Sequence, residues 1–273
     1  MKPIIKYQGG KRRELATLTA LIPPFTGRLI EPFCGGAALA FHLARPAVLR
    51  DVNGDLINLY RAVASDAYPA LQARVDHLKT LDHDALARAF YEARDAINRP
   101  LPPDAAGAPP DLARALSYIA VRQLCFSGME RYNARGEFNV PFGHYRRFSC
   151  ALARPHHELL RGADLARGDF DEAVASATAD DFLFLDPPYL DRLGYAAGDG
   201  SGGLHERLRR ALAATPARWL LVHSDHPFYR DSYAAAHLHA RPFSYAQRFG
   251  SDRDHSGAQV QHLYISSHPP PAP

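Results

Sequence analysis

Residues 28–51 decide the fold class: Arg28-Leu29-Ile30-Glu31-Pro32-Phe33-Cys34-Gly35-Gly36, an Ala-rich segment at 37–44, and then Ala47-Val48-Leu49-Arg50-Asp51. A short apolar strand runs into a glycine pair. Glycines let the backbone turn tightly and pass close to a ligand, and the small residues after them suit a helix packed on a sheet. The second apolar run ends in an acid sixteen residues after Gly35. That is near the spacing of about 20 at which βαβ units place a carboxylate for ribose hydroxyls. Strand, glycine turn, helix, strand and acid together predict an α/β domain that binds an adenosyl-bearing cofactor.

Outward from that unit, the chain supplies more strands of the same kind. Phe182-Leu183-Phe184-Leu185 is a continuous apolar run and reads as a buried strand; it stops at Asp186-Pro187-Pro188-Tyr189. The prolines cannot donate to a sheet ladder and hold φ near −65°, so the chain leaves the sheet stiffly. A carboxylate and a ring at a strand's carboxyl end suit a flat, polar ligand; an ordinary strand end with a turn is the plain alternative. Strands are also expected at 164–167, 219–223, 237–243 and 259–267, with helices at 156–162, 171–177 and through Leu204, Leu208 and Leu212. A glycine-rich loop is expected at 190–203, and a polar loop bearing Arg248 and Arg253 between the last two strands. Near the start, Lys6-Tyr7-Gln8-Gly9-Gly10-Lys11 is a glycine turn leading into a helix through Leu15, Leu18 and Leu21. It is not a P-loop, because Lys11 is followed by Arg12 rather than Ser or Thr.

Composition narrows the class. The chain has 47% hydrophobic and 22% charged residues, with a formal charge of +3. This is ordinary globular composition that permits a polyanionic partner without demanding one. Three cysteines, Cys34, Cys125 and Cys150, give an odd count without paired spacing, which argues against a disulfide framework or a cysteine-based zinc site. The fourteen histidines contain no HExxH, and no metal is expected. His156, His157, His237 and His239 read as surface or strand residues. No leader or membrane-spanning run is evident, so a cytoplasmic protein without membrane association is expected.

Between 56 and 124 the apolar spacing is helical, broken by a Pro/Ala-rich connector at 99–110, with Asp111 a candidate cap for the helix after it. This interrupts the βα alternation and reads as an insertion. The expected organisation is a discontinuous catalytic domain (1–61 and 156–268), an inserted helical domain (62–155) and a tail (269–273). The insertion ends in Ser127-Gly128-Met129-Glu130-Arg131-Tyr132-Asn133-Ala134-Arg135-Gly136-Glu137-Phe138-Asn139-Val140-Pro141-Phe142-Gly143, an extended loop or hairpin. From Arg122 to Arg154 there are six arginines and two acids, a larger surplus than in the whole chain. Arginine suits phosphates and guanine edges and asparagine suits adenine edges, so a nucleic-acid contact is one reading and a solvated basic loop the other.

In their order, Tyr7 to Lys11, Glu31 to Gly36 with Asp51-Val52-Asn53, Gly136 to Gly143, and Asp186 to Tyr189 resemble the Dam-type (D12 class, alpha-group) DNA adenine-N6 methyltransferases. The resemblance implies a Rossmann-like S-adenosylmethionine-dependent fold with a helical target-recognition domain, double-stranded DNA as partner, and either a cognate restriction nuclease or an orphan role. It assigns Tyr7, Lys11, Glu31, Phe33, Gly35, Asp51, Asp169, Phe170 and Asp186 to the cofactor, with Asp51 on the ribose. Asp186, Pro187 and Tyr189 become catalytic: the first two orient an exocyclic amine and Tyr189 stacks on a flipped-out base. Arg122, Ser127, Met129, Arg131, Asn133, Arg135 and Asn139 become DNA contacts. Ser127 and Met129 stand where the best-known members have Asn and Leu, so the recognition sequence is left open. The same chemistry would serve cytosine N4; protein glutamine methylation and an inactive DNA-binding homologue are lesser alternatives. Cytosine-C5 chemistry needs a nucleophilic cysteine, and this chain has no Pro-Cys pair.

Overall fold

Among the described residues there are seven strands: β1 (Leu29–Glu31), β2 (Ala47–Asp51), β3 (Asp164–Arg167), β4 (Phe182–Leu185), β5 (Arg218–Ser224), β6 (His237–Ser244) and β7 (Gln259–Ser266). The computed structural model describes residues 1–101, 108–190, 200–244 and 259–271. The strands stand in one sheet in the order β3-β2-β1-β4-β5-β7-β6. β1 with β4, β4 with β5, and β2 with β3 are parallel; β7 runs antiparallel to both β5 and β6. β1 and β4 are buried along their whole length, as continuous apolar strands covered on both faces must be. The strand order reverses between β1 and β4, the place where open α/β sheets bind ligands. The mixed α/β architecture is the one expected from residues 28–51, and its Rossmann-like form the one the resemblance implies.

By packing, the chain divides into two compact units, Met1–Leu15 with Cys34–Gly168, and Ala16–Phe33 with Asp169–Pro273. α1 (Leu15–Leu21) spans the first boundary. The first unit holds α2 (Ala38–Leu43), α3 (Gly54–Ala64), α4 (Tyr68–Leu78), α5 (His83–Ile97), α6 (Leu112–Leu124) and α7 (Arg154–Arg161). α6 is its spine: Ala115, Tyr118, Ile119, Val121 and Leu124 are buried, and it packs on α3 and α5. Three helices begin on side-chain caps: Asn53, Asp82 and Asp111 accept the N–H of Leu56, Ala85 and Arg114. Arg114 also pairs with Asp55 and donates to the carbonyls of Ile97 and Arg99 at 3.0 Å each, closing the end of α5.

The second unit adds α8 (Phe170–Ala175), α9 (Gly200–Ala214) and α10 (Pro227–Ser232) to the central strands. Two expectations change here. Gly200, Gly202 and Gly203 belong to α9 rather than to a loop, because a helix anchored by buried Leu208 and Leu212 extends backward at small cost in its first turn. α10 is a helix that the apolar spacing did not announce; Pro227 at its first position and the His226 side chain accepting the Phe228 N–H are its start signals. The expected features at 102–107, 191–199, 245–258 and 272–273 lie outside the described residues. Among the described residues no helix is long and apolar enough to cross a membrane.

The amino ends of β1 and β4 are fastened by one carboxylate. Asp181, 2% exposed, accepts from the Arg28 guanidinium at 2.8 Å, from the Arg28 N–H at 2.7 Å and from the Thr178 N–H at 2.9 Å. Gly27 is required beside it, since a Cβ there would lie 2.6 Å from the carboxylate. Burial alone would raise the Asp181 carboxyl, but these hydrogen bonds hold it well below the usual carboxylate range. A depressed folded-state value gives stability that is complete above the unfolded value near 4 and is lost as pH falls below it. Asp181→Asn is therefore expected to lower stability at pH 7 by about 2 kcal/mol. It should also flatten the acid limb of the melting temperature, read by calorimetry from pH 7 to pH 3.

Candidate active site

In the first unit the site is built on the glycine turn. Gly35, at φ +44°, carries the chain from β1 into α2, and three neighbours hold it. Its N–H donates to Asp51 Oδ2 at 2.9 Å, its carbonyl accepts the Tyr60 hydroxyl at 2.6 Å, and the adjacent Cys34 N–H donates to the Arg50 carbonyl at 2.9 Å. Tyr7 lies across the turn: a Cβ on Gly35 would fall 2.7 Å from Tyr7 Cε1, and one on Gly36 3.0 Å from Tyr7 Cβ. The first glycine turn and the second are thus one packed structure.

Asp51 is pinned through both oxygens, Oδ1 accepting the Asn53 N–H at 2.9 Å. Burial raises its carboxyl above the ordinary value, against the lowering effect of the Asn53 and Gly35 N–H groups. Two backbone donors fix the carboxylate plane and leave it lone pairs for hydroxyl donors. Val52 beside it is 67% exposed, an apolar face next to the acid that the sequence reading passed over; its place directly after a strand-end acid was the available signal. Lys11 is buried, its ammonium donating to the Gly9 carbonyl at 2.9 Å.

In the second unit, β1 and β4 run parallel in the register Leu29↔Phe182 and Ile30↔Leu183. Their carboxyl ends, Glu31 through Phe33 and Asp186 through Tyr189, therefore emerge side by side. Glu31 is buried, and Phe33 packs on Phe170 with ring centres 5.5 Å apart. Phe170 is fully buried, with the Arg207 guanidinium 5.0 Å above its ring. It is thus a floor beneath Phe33 rather than a face open to a base. Asp169 caps α8 and ion-pairs with Arg207 at 2.6 Å. Arg207, which also reaches Asp171, escaped the sequence reading because only the fold returns α9 to α8.

The segment after β4 is seated by histidines. His223, fully buried on β5, accepts the Leu190 N–H at Nε2 (3.0 Å). A backbone N–H can only donate, so the ring proton sits on Nδ1, which donates to the Ser224 carbonyl at 2.8 Å. The Tyr189 ring lies 4.7 Å from His223 and 5.6 Å from His262, and Tyr189 is 7% exposed, so these histidines cover part of the surface expected to stack. Behind them the Tyr229 hydroxyl meets His205 Nδ1 at 2.6 Å. Burial pushes His205 down to about 4, and burial followed by the charges of Tyr233 and Asp186 pushes the Tyr229 phenol up.

The arginine-rich segment is a hairpin in the first unit. Tyr132 and Phe138 form an antiparallel bridge, closed by Asn133 N–H to Glu137 O (2.9 Å) and turned at Gly136, φ +76°. Two expected DNA contacts are used up by the protein itself. Arg122 is 1% exposed and spends its guanidinium on backbone carbonyls. Asn133 accepts the N–H groups of Arg135 and Glu137 and donates to the Glu137 carboxylate, so it builds the turn. Arg131 is exposed and held by Asn139, Nε to Oδ1 at 2.7 Å and Nη2 to the carbonyl at 3.2 Å, which fixes its planar fork at the surface. Arg135 is exposed at the tip, while Ser127 (φ +57°) and Met129 are half-buried where the strand enters. His156 is likewise not a surface residue: it is buried, with Nε2 at 2.8 Å from the Lys2 carbonyl.

Residues 7–241 match the sequence model of the D12 class N6 adenine-specific DNA methyltransferases. The chain is 35% identical over 241 residues to the Type II methyltransferase M.CviBI of Paramecium bursaria Chlorella virus NC1A, covering 85% of this chain and 86% of that one. It is 28% identical over 205 residues to the Type II methyltransferase M.MjaIII of Methanocaldococcus jannaschii, covering 69% of each. It is also 31% identical over 199 residues to the DNA adenine methylase of Serratia marcescens, covering 69% of this chain and 67% of that one.

The packing of Tyr7 on the glycine turn is testable as a pair. Gly35→Ala is expected to cost about 2 kcal/mol, combining a left-handed backbone with the clash. In a Tyr7→Ala background the cost should fall to about 1 kcal/mol, the backbone share alone. Urea unfolding of the four proteins of the cycle measures the difference.

Proposed function

The chain belongs to the D12 class N6 adenine-specific DNA methyltransferase family, and from that membership we propose how its residues divide the work. The observation that carries the reading is the carboxyl end of β4: Asp186-Pro187-Pro188-Tyr189 leaves the sheet beside the end of its parallel neighbour β1, where the strand order reverses. S-adenosylmethionine, when bound, supplies an electrophilic methyl group. The donor set suits it. Asp51 offers carboxylate lone pairs for ribose hydroxyls, Val52 an exposed apolar face, and the Gly35-Gly36 turn a backbone that ligands can approach. Tyr7, Lys11, Glu31, Phe33 and Asp169 complete the proposed cofactor residues, with Phe170 supporting Phe33 from below.

An exocyclic amine is a poor nucleophile because its lone pair is delocalised into the base. The Asp186 carboxylate and the Pro187 carbonyl accept its two N–H hydrogens and hold the nitrogen pyramidal, so the lone pair leaves conjugation and points in one direction. As the nitrogen gains positive charge, the Asp186 carboxylate stabilises it. The amine is out of reach inside a duplex, so the adenine is flipped out, with Tyr189 against its ring and His223 fixing the tyrosine through Leu190. Residues 62–155 are the proposed target-recognition domain, and within them Arg131, oriented by Asn139, reads a base edge. A partner nuclease fits this reading as well as solitary action does.

Incubation of the protein with methyl-labelled S-adenosylmethionine and duplex DNA, followed by hydrolysis to nucleosides, should yield labelled N6-methyl-2′-deoxyadenosine. Asp186→Ala should reduce it by at least a thousandfold, about 4 kcal/mol of lost transition-state stabilisation, while DNA is still bound. Labelled product from the variant at the wild-type rate refutes the role given to Asp186. Arg131→Ala should cost about 1–3 kcal/mol on the preferred sequence and little on others. Equal loss on every sequence would make it a phosphate contact.

A further inference from the structure

One buried cation joins two loops of the first unit that the proposed function gives different tasks. Arg122 projects from α6 with 1% of its surface exposed. Nε donates to the Lys6 carbonyl at 3.1 Å, on the turn assigned to the cofactor. Nη1 and Nη2 donate to the carbonyls of Met129 (3.3 Å) and Gly128 (3.4 Å), on the strand that enters the recognition hairpin. The Glu130 carboxylate lies 3.3 Å from Nη1, and the guanidinium carbon 5.6 Å from the centre of the Tyr7 ring. Two neighbours repeat the connection: the Glu130 N–H donates to Gln8 Oε1 at 2.8 Å, and Gly128, at φ +68°, lies where a Cβ would fall 3.4 Å from Lys6 Cβ.

This arrangement exceeds what folding of α6 requires. A buried arginine costs desolvation, and an apolar residue of its size would fill the same volume. What only the planar fork supplies is simultaneous hydrogen bonding to carbonyls on two separate loops; lysine, a point charge, cannot reproduce it. Arg131, the exposed residue held by Asn139, follows Glu130 directly in the chain.

We propose that Arg122 is a positioning residue that couples the cofactor turn to the recognition hairpin, so that each ligand raises the affinity for the other. A ligand against Tyr7 fixes the ring and the Lys6 carbonyl. These fix the guanidinium, and the guanidinium fixes Gly128 to Glu130 and the base-reading arginine after them. The coupling is reciprocal by thermodynamic necessity. The proposal rests on the assignment of Tyr7 to cofactor and of the hairpin to DNA.

The test is fluorescence anisotropy of a labelled duplex carrying the methylated sequence, with and without saturating S-adenosylhomocysteine, for the wild type, Arg122→Lys, Glu130→Gln and Gln8→Ala. The wild type is expected to bind the duplex about tenfold more tightly with the cofactor product present. In Arg122→Lys the ratio should fall below about twofold, and the two milder variants should fall between. The ratio is internal to each protein, so a general loss of stability does not mimic the effect. Should Arg122→Lys fail to fold, the two milder variants decide, since Gln8 is exposed and Glu130 half-buried. Unchanged ratios in the variants overturn the proposal, as does a wild-type ratio of one with both ligands bound. A wild type that binds neither ligand overturns the proposed function itself.

Discussion

The carboxylate of Asp51 is the contact on which the geometry of the glycine turn depends. One oxygen takes the N–H of Gly35 and the other the N–H of Asn53. Asn53 then caps α3 and donates to the Tyr118 hydroxyl on α6. A strand end, a glycine turn, the start of one helix and the middle of another are thereby tied to one charged group. Removing it would leave two backbone donors without their acceptor, at about 1–3 kcal/mol each, and would free the turn against which Tyr7 packs. Burial disfavours the charged form and the backbone donors favour it; burial prevails, so the carboxyl sits above its ordinary value while remaining bonded at both oxygens.

The second unit solves a different problem, holding a short rigid segment at the end of a buried strand. Two prolines stiffen it, and His223 receives the Leu190 N–H directly after it. The tautomer follows from these contacts: Nε2 accepts, so Nδ1 carries the proton. Tyr189 is consequently held against His223 and His262 before any substrate arrives. Pre-organisation of this kind is what catalysis by orientation requires, because the reacting nitrogen gains little from acceptors that must first be arranged.

Much of this was legible in the chain because local rules govern it. Apolar runs bounded by Gly, Pro and acids located the buried strands β1, β2 and β4, and Asp111 was readable as a helix cap. What escaped depended on distant partners. Arg122 and Arg131 look alike in a basic segment, yet one meets a carbonyl 116 positions away and the other faces solvent; composition does not distinguish them. Asn133 reads as a base-contacting amide until its neighbours show that both ends of the side chain serve the turn. Phe170 pairs with Phe33 and Arg207 only because the fold returns to them. The choice of base was legible only through the resemblance, which favoured adenine, since a carboxylate and a proline carbonyl serve the amines of adenine and cytosine alike; the family match bears adenine out.

The central claim is that the end of β4 receives the amine of a base removed from the helix. A crystal structure with S-adenosylhomocysteine and a duplex carrying the methylated sequence addresses it directly. The account predicts the target adenine outside the stack, its N6 within about 3 Å of the Asp186 carboxylate and the Pro187 carbonyl, and its ring against Tyr189. An adenine still paired in the duplex, or an extruded base whose amine faces other residues, would contradict it.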